Sequence, residues 1–126
     1  MLSDEDERFL KERGFSYNVA TEDNMTCVTI PAYTLPEGYD RTEADLLLRL
    51  GLGFPDTPPD MWWFSPAVKL GDGRAVRATD TTEHHLGRDW QRWSRHLSSS
   101  DWIPGNDNLE SFLAIIGQDL LRREPA

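Results

Sequence analysis

One short segment, residues 90–102, concentrates the side chains that could do chemistry. It reads WQRWSRHLSSSDW and holds three of the five tryptophans together with Ser94. A serine hydroxyl becomes a nucleophile when a neighbouring base takes its proton, and histidine is the usual base. The three histidines of the chain, His84, His85 and His96, all lie within twelve residues of Ser94. This clustering predicts a Ser–His pair, while capping of a short helix or turn is the structural alternative for Ser94.

The same region is locally basic on an acidic chain. Residues 84–97 contain three arginines and one aspartate, a net charge of +2, which leaves −11 for the rest of a chain whose net charge is −9. The arginines could receive a carboxylate or an acidic partner, or they could stack on neighbouring tryptophans. The sequence leaves both alternatives open. The residues concerned are Arg88, Arg92, Arg95, Trp90 and Trp93.

The single cysteine, Cys27, excludes an internal disulfide and agrees with a reducing compartment. It lies in the alternating stretch MTCVTI, where a lone cysteine is more often a buried structural residue than a nucleophile. A metal site is not expected, because His84 and His85 are adjacent, His96 is distant and no second cysteine completes a zinc set. We therefore predict no cofactor.

The elements that must position these groups begin with a helix. Ser3 precedes four acidic residues, which is typical of a helix N-terminus, and Gly14 stands where the helix would end. Phe15, Tyr17 and Val19 then alternate with polar residues and predict a half-buried strand. A turn at residues 21–24 leads into a returning strand at 25–30.

Two further strands are predicted before the reactive segment. EADLLLRLGLG contains alternating leucines, and MWWFSPAVKL resumes a strand that ends near the GDG turn, with RAVRAT as a possible pairing partner. Between them FPDTPPD cannot be regular structure, because its prolines remove donors and keep the chain extended. Trp62 and Trp63 must point to opposite faces, so one of them is a candidate contact surface.

The last predicted element is a helix after Trp102. Asp107 and Glu110 are spaced as an acidic variant of the capping box. An apolar stripe at helical spacing follows, formed by Leu109, Phe112, Leu113, Ile116 and Leu120. The order of elements predicts one α+β domain over residues 1–126, with an N-terminal helix, a four-stranded antiparallel meander, an active-site loop and a C-terminal helix.

Composition restricts the function. A chain of 126 residues with 38% hydrophobic and 28% charged residues is typical of one globular domain. The net charge of −9 argues against general binding to nucleic acid or anionic membranes, and no apolar run approaches the roughly 18 residues that span a bilayer. The start MLSDEDERFL is acidic where a secretion signal is basic and then apolar. We expect a cytoplasmic protein.

Two motifs resemble those of ubiquitin-conjugating enzymes. FPDTPPDMWWF resembles their YPxxPP signature, with Phe54 in place of the tyrosine and prolines at the matching spacing. WIP at 102–104 resembles the W-x-P that precedes a helix. Counting back from Trp102 over seven intervening residues reaches Ser94, where the family has its catalytic cysteine. Counting back further reaches HHL at 84–86, where the family has HPN, so that Leu86 replaces the asparagine.

The whole chain, and GRDWQRWSRH and LPEGYD in particular, resembles the bacterial branch of the UBC superfamily. The resemblance implies a UBC-like fold, a place in ubiquitin-like protein conjugation and a setting in antiphage defence. The partners it implies are a ubiquitin-like protein, an activating-enzyme homologue and a JAB-type peptidase encoded nearby.

With serine at the reactive position, the resemblance implies that Ser94 carries the modifier's C-terminal glycyl group as an oxyester. A histidine would act as base, and a backbone N–H, Gln91 or Arg92 would stabilise the oxyanion. We expect the modifier to be received by Arg92, Arg95, Trp90, Trp93 and Trp102, with Trp90 and Trp93 on one face if the segment is helical. The alternative is a catalytically inactive adaptor that binds a ubiquitin-like protein or the activating enzyme. A Ser–His hydrolase is a third possibility, but no G-x-S-x-G motif supports it.

Overall fold

A computed structural model describes residues 2–95, 97 and 101–126 of the chain. Its elements in order are α1 (Asp4–Glu12), β1 (Asn18–Glu22), β2 (Met25–Thr34), β3 (Glu43–Leu50), β4 (Met61–Ser65), β5 (Thr81–His85), β6 (Arg88–Ser94) and α2 (Leu109–Arg122). The strands form one antiparallel sheet in the order β1-β2-β3-β4-β6-β5. The α+β class is confirmed. The predicted four-stranded meander is wrong in strand number, because the region taken for an active-site loop supplies two more strands.

The N-terminal helix begins and ends where its sequence predicts. The Ser3 hydroxyl accepts a hydrogen bond from the N–H of Asp6 at 3.1 Å. At the other end Gly14 has a φ of +75°, and the N–H of Phe15 reaches back to the carbonyl of Leu10. This pairing satisfies a carbonyl that the helix leaves free and turns the chain towards the sheet.

The first hairpin is tighter than predicted. Asp23 and Asn24 alone form its turn, both with positive φ, which matches the twist of the flanking strands. The first strand starts only at Asn18, so Phe15 and Tyr17 precede it, and Val19 is 43% exposed. The predicted half-buried strand is therefore wrong in its limits and burial, because β1 lies at the edge of the sheet.

Both faces of the sheet carry apolar clusters. The main core lies between the sheet and the two helices and includes Leu10, Ile30, Leu46, Trp62, Phe64, Trp93 and Phe112. The opposite face carries a smaller group, the inner cluster, formed by Cys27, Leu47, Trp63 and Trp90 with Met61 and Leu86 packed against it. Cys27 is fully buried, as the sequence predicts.

Alternation does send Trp62 and Trp63 to opposite faces. Their exposed fractions are 0% and 6%, so neither presents a broad contact surface. Trp63 is covered because the inner cluster gives the second face its own buried centre.

The predicted turn at GDG is present, since the N–H of Gly73 donates to the carbonyl of Leu70, but β4 ends at Ser65 and the turn does not join two strands of the sheet. The segment between β4 and β5 is fixed instead by Gln91, whose amide accepts a bond from the N–H of Val68 and donates to the Val68 carbonyl, both at 2.9 Å. RAVRAT does pair, but with the end of the chain, since Val76 bridges Pro125. The sequence pattern could not reveal this partner, because about fifty residues separate the two segments.

The C-terminal helix is confirmed, with its cap displaced by one residue. Asn108 is the N-cap: its side chain accepts from the N–H of Ser111, and the Ser111 hydroxyl accepts from the N–H of Asn108. Asp107 instead accepts from the N–H of Ile103 at 2.6 Å, which shapes the turn before the helix. All five residues of the predicted stripe are buried.

The LPEGYD loop ties the end of α2 to the segment after β4. The Tyr39 hydroxyl donates to the carbonyl of Leu120 at 2.5 Å, and Arg123 Nε donates to the carbonyl of Glu37 at 2.6 Å. The carbonyl of Gly38 accepts from the N–H of Gly71. A hydrogen-bonding role in the fold therefore accounts for this motif.

We expect Gly38→Ala to lower the free energy of unfolding by about 2 kcal/mol, because Gly38 has a φ of +106° and an added Cβ would collide with the Arg123 side chain. Gly73→Ala is the matched control, since Gly73 has a φ of +89° with open space around it. Urea unfolding of both variants measures the difference. If both variants lose the same free energy of unfolding, the close approach of Arg123 to Gly38 does not matter for stability.

Candidate functional site

The segment that holds Ser94 is a strand and not an active-site loop. Residues 88–94 form β6, which pairs with β4 on one side and β5 on the other. Alternation places Trp90 in the inner cluster and Trp93 in the main core. The two tryptophans were expected to share a face only if the segment is helical, and in this strand they do not.

Ser94 is the last residue of β6 and is half-buried. It lies opposite Met61, and its N–H donates to the carbonyl of Ala78 at 3.1 Å. Its hydroxyl oxygen accepts a hydrogen bond from Arg92 Nε at 3.0 Å. Within the described residues, both the backbone and the side chain of Ser94 are thus engaged by the sheet.

The structure separates Ser94 from two of the three histidines. His84 pairs with Asp89 and His85 with Arg88, at the other end of the β5–β6 hairpin. Five strand residues, about 17 Å, separate Ser94 from the level of Asp89. Neither histidine can take the Ser94 proton at that distance. His96, the remaining predicted base, lies outside the described residues.

Each arginine of the basic strip has a carboxylate partner within the chain. Arg88 pairs with Asp45 at 2.9 Å, Arg92 with Glu83 at 2.7 Å and Arg95 with Asp119 at 2.8 Å. Arg88 also lies over the ring of Trp90, and Arg95 over that of Trp93. The stacking alternative is therefore right for two of the three.

Arg95, a predicted receiver of the modifier, is buried and paired within the chain. Its side chain is 7% exposed, and it also donates to the carbonyls of Arg77 and Ser94. A buried arginine needs such partners because an unpaired charge away from water is very costly. Arg95 thereby joins the end of β6 to α2 through Asp119.

The predicted substrate-binding tryptophans belong to the protein's interior. Trp90, Trp93 and Trp102 have exposed fractions of 1%, 0% and 4%. Their indole N–H groups donate within the chain, to the His85 carbonyl, to Gln91 Oε1 and to the Pro55 carbonyl respectively. These rings fill both faces of the sheet and the base of the proline loop, so they present little surface to a modifier, and their role in receiving one stays a prediction.

The two motifs that carry the family resemblance meet in space. Trp102 Nε1 donates to the carbonyl of Pro55 at 2.8 Å, and the rings of Trp102 and Phe54 lie 6.1 Å apart. Phe112 of α2 packs against the other edge of Trp102. The proline loop is therefore held against the start of the C-terminal helix, although 47 residues separate Pro55 from Trp102.

The most connected polar group is one that the sequence analysis missed. Glu83 Oε1 accepts from Trp63 Nε1 at 3.0 Å and lies 3.0 Å from His85 Nε2, while Oε2 accepts from Arg92 at 2.7 Å. Burial would raise the pKa of Glu83, but these hydrogen bonds and the charge of Arg92 outweigh it and hold the pKa below its usual value. The sequence offered no clear signal for this group, because TTEHH is polar throughout, and Glu83 and His85 share a face only once the segment is a strand.

The polar contacts continue from Glu83 to the opposite edge of the sheet. His85 Nδ1 lies 3.4 Å from Glu22 Oε1, and the N–H of Leu86 donates to Glu22 Oε2 at 3.0 Å. Arg49 contacts Glu22 and the neighbouring Asp23. Adding the Ser94–Arg92 and Arg92–Glu83 bonds gives a continuous polar chain from Ser94 to the β1–β2 turn.

A groove of about 450 Å³ lies beside this series of polar contacts, on the face of the sheet away from the helices. Met25, Met61, Trp63 and the proline loop supply its apolar walls. Its charged lining residues are Arg49, Asp60, Glu83 and Arg92. Met61 is also the cross-strand partner of Ser94. The arrangement can bind an apolar segment next to a charged pair. No group of possible metal ligands occurs among the described residues.

Comparison with known proteins gives one match. The family model for prokaryotic E2 family E matches residues 2–123. Neither a curated protein nor a solved structure matches the chain. Within the described part of the chain, neither helix has the length and apolar character needed to cross a membrane.

We expect Glu83→Gln to lower the free energy of unfolding at pH 7 by roughly 2 kcal/mol, since three donors lose a charged acceptor. The lowered pKa of Glu83 stabilises the fold above the unfolded-state pKa, and this contribution is lost as the pH falls through the folded-state pKa. The difference in the free energy of unfolding between wild type and Glu83→Gln should therefore shrink from pH 7 to about pH 3. Glu43→Gln, at an exposed strand position, is the control. If Glu83→Gln lowers the free energy of unfolding no more than Glu43→Gln does, the role assigned to Glu83 is contradicted.

Proposed function

The chain belongs to prokaryotic E2 family E, and we propose that it is a non-transferring UBC-like partner, an adaptor that binds the ubiquitin-like protein or the activating enzyme. Membership gives it a UBC-like role in ubiquitin-like protein conjugation, and with it interaction in general with a ubiquitin-like protein and an activating enzyme. What remains to be assigned is whether the chain itself carries the modifier.

The observation that carries this proposal is the environment of Ser94. A serine that accepts an acyl group needs a base for its proton and free access to its oxygen. Here Arg92 Nε donates to that oxygen, and the backbone of Ser94 is paired within the sheet. His84 and His85 lie too far along the hairpin to act as the base.

The groups predicted to stabilise an oxyanion are also either engaged by other residues or distant from Ser94. Leu86, at the position where the resemblance would expect asparagine, lies in the β5–β6 turn at the far end from Ser94. Gln91, a predicted donor, already donates to Val68, and its oxygen accepts from Val68 and Trp93. Arg92 is the one predicted donor that lies next to Ser94, and Glu83 holds it. These contacts favour binding over acyl transfer.

Carriage of the modifier on Ser94 is the second candidate. It is favoured by two features of Ser94: the residue is half-buried and pairs across the strands with Met61, which lines the groove, and His96 is two residues away in the sequence. The Ser94 oxygen would attack the modifier's activated C-terminal carbonyl, its proton would pass to His96, and the activating group would leave. The product would be an oxyester. The same proposal includes a JAB-type peptidase as a partner and a function in antiphage defence.

The two candidates predict different products with the ubiquitin-like protein, the activating-enzyme homologue and ATP. For an adaptor we expect binding of one partner by gel filtration, with no covalent adduct on a denaturing gel or by mass spectrometry. Ser94→Ala should then bind as wild type does. Ser16→Ala, which changes an exposed serine outside the helices and strands, is the matched control.

A covalent adduct would overturn the adaptor. An oxyester on Ser94 would resist reducing agent, be cleaved by hydroxylamine, disappear in Ser94→Ala and become sensitive to thiols in Ser94→Cys. Cys27→Ser tests the remaining thiol. Loss of an adduct in a folded Cys27→Ser protein would assign the chemistry to Cys27 and contradict both candidates.

A further inference from the structure

The pairing of β3 with β4 ends before the two strands do. Its last pair is Leu47 with Trp63. However, β3 continues to Leu50, and β4 begins at Met61. Towards the end of β3, Arg49 and Leu50 pair with β2 alone among the described strands. On the side that faces β4, the backbone of these two residues is therefore open to a further strand.

The groove described above lies at this opening. Arg49 and Gly51 line it from the side of β3, and Met61 and Trp63 line it from β4. Met25 of β2 adds to its apolar wall, and methionine side chains adapt to the shape of what they contact. The volume of about 450 Å³ is typical of clefts that hold a ligand. The groove thus places an apolar surface next to an unpaired strand edge.

The wall that the proline loop supplies is already ordered. The carbonyl of Asp60 accepts from the N–H of Arg95 at 2.7 Å, and the carbonyl of Gly53 accepts from the N–H of Thr57 at 2.8 Å. The prolines of the loop restrict its backbone further. An occupant would therefore not have to order this wall, which keeps the entropic cost of binding low.

The charges at the groove favour a basic occupant. Arg49 and Arg92 line it, but carboxylates of this chain already pair with both. Asp60 also lines it, is exposed, and makes no ion pair through its carboxylate among the described residues. The two arginines thus face four carboxylates, a net charge of −2, which attracts cations and repels anions. The four carboxylates are those of Glu22, Asp23, Asp60 and Glu83.

We propose that this groove binds an extended protein segment that is both apolar and basic. The backbone of the segment would pair with Arg49 and Leu50, as an added strand does. Its apolar side chains would pack on Met61 and Trp63, and a lysine or arginine would meet Asp60. The segment belongs to the partner of the proposed adaptor, and to that extent the proposal rests on the proposed function. A second copy of this chain fits poorly, because its net charge of −9 opposes docking at an acidic groove.

A synthetic peptide tests this chemistry without the partner. The probe is a fluorescein-labelled peptide of about eight residues in which valine and lysine alternate, so that an extended chain places the valines on one face. We expect saturable binding by fluorescence anisotropy, weakened by added salt. Replacing lysine with glutamate, replacing valine with serine or methylating alternate backbone nitrogens should each weaken binding by about tenfold or more. Absence of saturable binding, or equal binding of the serine–lysine peptide, would overturn the proposal.

A reversal of charge tests the role of Asp60. Asp60→Lys should weaken binding of the valine–lysine peptide about tenfold, because an attraction becomes a repulsion. Glu43→Lys is the matched control, since it makes the same change of charge at an exposed position of β3 about 20 Å from Arg49. Equal weakening by the two variants would show a general effect of net charge and would overturn the proposal.

A larger side chain at Gly51 tests the shape of the groove. A Cβ added there would meet only Met25 Cε, at 3.9 Å, so Gly51→Leu should occupy the groove without disturbing the core. It should weaken binding of the valine–lysine peptide about tenfold, through loss of apolar contact. Gly117→Leu is the control, because Gly117 lies in α2 with nothing within 4 Å of an added Cβ. Binding of the peptide to folded Gly51→Leu as tightly as to wild type would contradict the assigned site.

Methionine methyl signals locate the bound peptide directly. The chain has three methionines, and Met25 and Met61 both line the groove. In protein labelled with carbon-13 at the methionine methyl groups, saturating peptide should shift both signals, which Met25→Leu and Met61→Leu assign. If both signals stay unchanged while the peptide binds, the peptide contacts another surface and the proposal is wrong.

Two further measurements keep the outcomes distinct. Circular dichroism shows whether each variant is folded, and an unfolded Gly51→Leu protein leaves the decision to Asp60→Lys and the methyl signals. Gel filtration with the ubiquitin-like protein and the activating-enzyme homologue separates the groove from the adaptor. If wild type binds one of them and Asp60→Lys and Gly51→Leu bind it equally well, the groove is not the docking surface and the adaptor stands. If wild type binds neither, the adaptor is wrong, and the peptide results still decide for or against the groove.

Discussion

The structure depends on burying both faces of one antiparallel sheet. Successive strand residues point to opposite faces, so the neighbours Trp62 and Trp63 enter different clusters, as do Trp90 and Trp93. The main core joins the sheet to the helices, and the inner cluster covers the other face. Carboxylates and carbonyls lie at the edges of these two clusters. They are needed there because a buried indole N–H or arginine is costly without an acceptor.

Prediction from the sequence succeeded where local chemistry determines structure. Ser3 and Gly14 mark the limits of the first helix, the stripe from Leu109 to Leu120 marks the second, and the prolines of the loop exclude regular structure. The β5–β6 hairpin was missed because its turn uses Leu86 with a φ of +53° where the common turn sequences have asparagine or aspartate. Its first strand is also polar, TTEHH, so it lacks the apolar alternation that indicates a strand.

The candidate site shows why closeness in sequence did not become closeness in space. His84 pairs with Asp89, five residues before Ser94 on β6, and at about 3.4 Å per residue this register places His84 about 17 Å from Ser94. The same geometry brings Glu83 and Arg92 together from residues that looked unrelated in the linear pattern. Only the register of β5 against β6 contains this information, and a single sequence does not specify that register.

The sheet is curled, because Glu22 at the end of β1 contacts His85 and the N–H of Leu86 at the opposite edge, and this curl affects how the protein meets other chains. An open sheet presents two rows of unpaired backbone groups, and each can template the addition of a foreign strand. Here the ends of the two edge strands are drawn towards each other, and the side chain of Glu22 occupies the corner between them. A strand that added at this corner would have to displace a carboxylate from its donors. The contact that shapes the sheet is thus also a barrier to edge-to-edge aggregation.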